Sequence, residues 1–143
     1  MSEYRPFLIL SPLHKSLRNV DVYLGKKFKP YGFSISEAHL LGYLINNSPS
    51  PVNKLIRVFG FKNSTLTSII NRLEKKGMLR RKISMEDRRS YQIELTKSGQ
   101  KIATELYNIT RELEDKILKN ISDLEISSLN NIAAELEKTC NGD

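Results

Sequence analysis

The sequence predicts a mainly α chain carrying one small β-hairpin, and three observations predict it. Apolar residues recur at steps of three and four through most of the chain, which is the period of amphipathic helices. Between residues 79 and 95 they instead alternate with charged and polar ones, the period of a half-buried strand pair. Pro30, Gly60 and Gly77 stand where three of the helical stretches run out, as helix-ending residues should.

After an apolar opening, Ser11-Pro12 reads as a helix start, followed by Leu13, Leu17, Val20, Leu24 and Phe28 on one stripe, with Pro30 at the stop. Such a helix of about five turns must bury its stripe against something outside itself. Tyr31-Gly32-Phe33 is a turn. Ser34-Ile35-Ser36-Glu37 then has the spacing of a capping box, with Phe33 and Ala38 placed as a hydrophobic staple. Ala38, Leu41, Leu44 and Ile45 form the buried side of this second helix, and Asn46 to Pro51 reads as a loop.

Val52, Leu55, Ile56 and Phe59 give a short third helix, with Ser50 and Pro51 suited to its cap and first turn and Gly60 to its end. A fourth helix, capped by Asn63 or Ser64, carries the stripe Leu66, Ile69, Ile70 and Leu73 and ends at Gly77. At about 100° per residue, Ser64, Thr67, Ser68, Asn71 and Lys75 cluster opposite that stripe, with Thr65 and Arg72 on the flank. The face is polar and nearly free of acid, and Ser, Thr and Asn offer both donors and acceptors to base edges or phosphates. Every surface helix has a polar face, so the residues that follow decide the matter. Leu79, Ile83, Tyr91, Ile93 and Leu95 alternate with Arg80, Lys82, Gln92 and Glu94, and Arg81 alone breaks the pattern. The connection 84–90 lacks an Asn-Gly or Asp-Gly pair, which predicts a longer loop with its basic residues at the tip. A helix-turn-helix followed by a basic hairpin is the layout of a winged helix, with one element for the major groove and another for the backbone or minor groove beside it.

Beyond the hairpin, Thr96 or Ser98 caps a long helix whose residues Ile102, Leu106, Ile109, Leu113, Ile117 and Ile121 resemble a heptad seam. Ser122 to Glu125 has capping-box spacing again, so the helix should break there and a last one carry Leu129, Ile132, Ala133 and Leu136. Three apolar terminal helices and one small winged core are most economically covered by a second copy of the chain. The expected organisation is therefore an N-terminal dimerisation helix over 1–30, a winged helix-turn-helix DNA-binding lobe over 31–98 and C-terminal dimerisation helices over 99–143.

Charge follows the same division. Residues 1–30 hold six Lys/Arg against two acids, residues 31–99 twelve against five, and residues 100–143 five against nine, within a net charge of +7. The excess is greatest across the winged segment, where it implies an anionic partner, and the local architecture suits duplex DNA. No stretch approaches the roughly 20 apolar residues that span a bilayer, and the opening lacks a secretory pattern. The single Cys140 fits a reducing cytoplasm. With His14 and His39 as the only histidines, the chain has no metal-ligand spacing, no expected cofactor and no recognisable catalytic set, so an enzyme is not expected.

The run from Asn63 to Arg81 resembles the recognition helix and first wing strand of the MarR family. Asp87-Arg88-Arg89, followed after a strand by Leu95-Thr96-Lys97-Ser98-Gly99, resembles that family's wing signature. Met85 departs from it where many relatives carry proline, and Arg57 and Phe59 replace small and aliphatic residues. The resemblance implies a homodimeric, sequence-specific regulator of transcription, of the repressor type, acting on double-stranded DNA. By it Arg89 enters the minor groove and Asp87 orients the arginine or the loop. Two recognition helices about a twofold axis imply an inverted-repeat operator. The candidate DNA contacts are Asn63, Ser64, Thr65, Thr67, Ser68, Asn71, Arg72, Lys75, Lys82, Asp87, Arg88 and Arg89. Family members commonly respond to small phenolic or carboxylate effectors, for which Tyr4, Arg5, His14, Arg18, Tyr23 and Tyr43 are candidates, although Tyr at helical spacing is more often core or interface.

Overall fold

A computed structural model of the chain describes residues 5–83 and 91–142. In order, these form α1 (Leu10–Phe28), a 3-10 turn (Lys29–Tyr31), α2 (Ile35–Asn47), β1 (Ser50–Pro51), α3 (Val52–Phe59), α4 (Asn63–Lys75), β2 (Leu79–Ile83), β3 (Tyr91–Leu95), α5 (Lys97–Leu118) and α6 (Asp123–Asn141). The expected wing tip with Asp87, Arg88 and Arg89 lies outside the described residues, as does Tyr4. The chain divides into two compact units whose boundary falls inside α5, between Ile109 and Thr110.

The first unit is built on one apolar core. Leu24 and Phe28 of α1, Leu40, Leu41 and Leu44 of α2, Leu55 of α3, Leu66, Ile69, Ile70 and Leu73 of α4, Leu79 of β2, Ile93 of β3 and Leu106 of α5 are each at most 2% exposed. Burial of each such side chain contributes about 1.5–3 kcal/mol relative to exposure. The predicted stripe of α4 is therefore buried entire, which fixes the rotation of that helix and leaves its polar face outward. Only the C-terminal end of the α1 stripe is buried; Leu13 and Val20 are half-buried and Leu17 is exposed. The helix begins at Leu10, one residue before Ser11-Pro12, and the Ser11 hydroxyl accepts a hydrogen bond from the Phe7 amide at 2.9 Å.

The sheet differs from a simple hairpin. Residues 46–51 are not all loop: Ser50 and Pro51 pair antiparallel with Ile93 and Gln92, so the sheet is three-stranded in the order β1-β3-β2. A strand of two residues carries no alternation to read. Ser50 is consequently a buried strand residue and Pro51 takes the N-cap of α3 in extended conformation. Between β2 and β3 the register pairs Leu79 with Leu95, Arg81 with Ile93 and Ile83 with Tyr91. Ile83, expected on the covered face, is 70% exposed. Alternation assigns a face of the hairpin, whereas burial needs another element over that face.

A clasp joins the hairpin to α5. Thr96 Oγ1 accepts from the Gly99 amide at 2.9 Å, capping the helix, and donates to the Gly77 carbonyl at 2.6 Å. A Cβ on Gly99 would lie 2.0 Å from the Met78 carbonyl oxygen, so only glycine permits this approach. The Leu-Thr-x-x-Gly motif thus closes the sheet onto the helix. In the second unit, Ser122 and Glu125 form the expected capping box, and α6 has no buried residue.

Candidate nucleic-acid interface

The turn between α3 and α4 sets the pose of the polar face. Gly60 closes α3 in the left-handed region at φ 67°, its amide donating to the Ile56 carbonyl at 2.8 Å. Phe59 stacks on Phe61 at 5.6 Å and meets the Tyr43 ring edge-on at 5.5 Å, so the Phe59 that departs from the family pattern braces the turn against α2. Neither Asn63 nor Ser64 caps α4. The N-cap is Lys62, in extended conformation and without a side-chain cap, because its carbonyl already accepts from the Leu66 amide at 3.0 Å. Asn63, Ser64 and Thr65 therefore make up an exposed, side-chain-uncapped first turn at the positive end of the helix dipole.

Asn63, Ser64, Thr67, Ser68, Asn71, Arg72 and Lys75 line one open depression along α4. These are seven of the eight helix residues chosen from the sequence. The eighth, Thr65, lies in an adjoining depression with Ser34, Ser36, Ser64, Ser68, Ile69 and Arg72. Ser34 and Ser36 are additions that sequence reasoning used only as a helix start; the hydroxyl-rich Ser-Ile-Ser run was the available signal. Arg72 donates to Ser68 Oγ at 2.9 Å, and no ion pair among the described residues involves it.

Two basic side chains hold α4 in place. Lys76 Nζ donates to the Gly32 carbonyl at 2.7 Å, pairs with Glu37 Oε2 at 3.3 Å and sits 4.5 Å over the Phe33 ring, latching the end of α4 to the start of α2. Burial pushes the Glu37 carboxyl up, but hydrogen bonds from the Ser34 amide and hydroxyl, with the Lys76 ammonium, outweigh it and hold the group below its ordinary value. Arg81, which breaks the strand alternation, points to the covered side and is answered there: it pairs with Glu74, donates to Asn71 Oδ1 at 2.5 Å and lies 5.3 Å from the Tyr91 ring centre. Arg80 pairs across the hairpin with Glu94 at 3.3 Å, while Lys82 is exposed.

Of the described candidate effector residues, Arg5 is exposed ahead of α1 and the other four lie on two helices. His14 and Arg18 are exposed on α1; Tyr23 receives the Lys27 ammonium 5.6 Å from its ring centre, and Tyr43 belongs to the Phe59 contact. Among the described residues no group of three or more His, Cys, Asp or Glu gathers as a metal site, and no helix is long and apolar enough to cross a membrane.

Residues 33–91 match the model of the MarR family. Over 142 residues the chain is 32% identical to the HTH-type transcriptional regulator PecS of Dickeya dadantii (strain 3937), covering 95% of this chain and 84% of that protein. The chain belongs to the MarR family. Members of this family are transcription regulators and not enzymes. The MarR-type fold is matched by the S. aureus MepR–DNA complex, with a TM-score of 0.85 at 19% identity over 94% of this chain and 99% of that one. Streptococcus pneumoniae FabT in complex with DNA gives a TM-score of 0.79 at 23% identity, over 94% and 96% of the two chains.

Proposed function

We propose that this MarR-family chain is a cytoplasmic, homodimeric repressor that reads an inverted-repeat operator in double-stranded DNA. The observation that carries the reading is the α4 surface: its entire apolar stripe is buried, which turns seven acid-free polar side chains into one exposed track beside a basic hairpin. On this reading Asn63, Ser64, Thr65, Thr67, Ser68, Asn71, Arg72 and Lys75 meet base edges and phosphates, and Lys82 meets the backbone. Asp87, Arg88 and Arg89 serve at the wing. The uncapped first turn of α4 favours a phosphate, since its amides and the helix dipole both face an anion. Pairing of two copies is supported by Phe7 and Leu8, which are 64% and 91% exposed, and by Leu124 and Leu129 on a helix with no buried residue.

Selection of bound sequences from a random duplex pool tests the proposal. The expected product is an inverted repeat with half-sites about one helical turn apart. Binding without sequence preference that disappears at moderate salt would overturn it. Release by a phenolic or carboxylate effector acting at His14, Arg18, Tyr23 and Tyr43 is the finer part of the reading. Its test repeats the selection with such compounds present, and unchanged operator occupancy would remove it.

A further inference from the structure

We infer that Arg81, a wing-strand residue, sets which base Asn71 reads by locking the orientation of the Asn71 amide. The inference rests on the DNA-reading role proposed for α4. Asn71 is exposed on the polar track, and its Oδ1 accepts from Arg81 Nη2 at 2.5 Å. A guanidinium is donor-only, so the amide edge facing it is the carbonyl oxygen. Arg81 is itself anchored: its other terminal nitrogen, Nη1, pairs with Glu74 one turn along α4, and its guanidinium lies against Tyr91 on β3. It is 29% exposed at the side chain, held between helix and hairpin and not free to swing out.

The consequence is chemical. A free Asn amide recognises adenine with both ends, accepting from N6 and donating to N7. Oδ1 keeps a second lone pair, but the Arg81 contact holds that edge toward the hairpin and away from the side-by-side pose a two-ended adenine contact needs. Asn71 therefore offers its NH2 group to any acceptor in the major groove: guanine N7 or O6, adenine N7 or thymine O4. Arg81 is thus a positioning residue that withholds adenine specificity from Asn71.

The test compares base preferences of the full-length chain with Arg81→Leu and Arg81→Lys, using selection from a random duplex pool followed by titration of single-base operator variants. Asn71→Ala identifies the operator position, as the one whose preference it flattens. At that position Arg81→Leu should raise the preference for adenine over guanine about fivefold or more, the lower end of what a two-ended contact discriminates. Arg81→Lys keeps a cation for Glu74 with a single point charge in place of the two-pronged fork, and should shift the same position in the same direction. It carries the comparison should the leucine variant fail to fold. Equal loss of affinity for all sequences with preferences unchanged would overturn the inference and leave the regulator reading standing. So would an Asn71→Ala variant that flattens no position. If the unmodified chain selects no operator, both fall.

Discussion

At the scale of single residues, the side chains that decide this molecule are mostly not those that would touch DNA. Gly99 is required because the Met78 carbonyl oxygen occupies the space of a Cβ, 2.0 Å away, and a backbone atom cannot turn aside as a flexible side chain does. Gly99→Ala should therefore destabilise the chain by about 1–3 kcal/mol, the usual cost of overpacking, read as a lower urea midpoint. Glu37 titrates below its ordinary value of 4.5 when folded. A lowered native value means that its contribution is complete above the unfolded value and is lost as pH falls through the folded one. Glu37→Gln should thus cost stability at pH 7, and the gap to the unmodified chain should narrow steadily below pH 4.5. A gap that stays constant down to pH 3 would show that the carboxylate is not what Ser34 and Lys76 hold.

At the scale of elements, the helices were legible because each carries an apolar stripe at helical period between recognisable ends. The capping boxes at Ser34 and Ser122 formed as their spacing implied. Helix starts without such a box were less secure: Ser11 and Ser64 are good capping types, yet the chain enters those helices one or two residues earlier, at Leu10 and Asn63. The hairpin was legible too, except that Arg81 looked like a defect in the alternation. It is an inward charge whose partners, Glu74 and Asn71, lie on another element, a pairing that strand period alone does not reveal. Two variants separate the wing from simple charge. On the proposed reading, in which Arg89 enters the minor groove, Arg89→Ala should weaken operator binding by about 1–3 kcal/mol. Lys82→Ala should weaken all duplexes alike and, since each dimer loses two phosphate contacts, make the salt dependence shallower by about two units of slope. Equal effects of both on specific and random DNA would remove the distinction between reading and charge.

At the scale of the whole molecule, the apolar residues left exposed at the N-terminal end and along α6 argue for a second chain. Sedimentation at micromolar concentration should give about twice the 16.4 kDa of one chain, and a species at the single-chain mass would reject the dimer. If each dimer neutralises about 8 phosphates, the logarithm of affinity should fall against that of salt with a slope near −7. What the sequence determined by itself was local: helical and strand periods, the polar track on residues 63–75 and the basic excess of residues 31–99. Each of these is set by residues a few positions apart. Tertiary structure alone decided that Ser50 and Pro51 join the sheet, that Ile83 stays exposed, that Ser34 and Ser36 border α4 and that Arg81 holds Asn71. Those outcomes depend on which surfaces of distant segments meet in the folded core, and a one-dimensional period carries no term for that encounter.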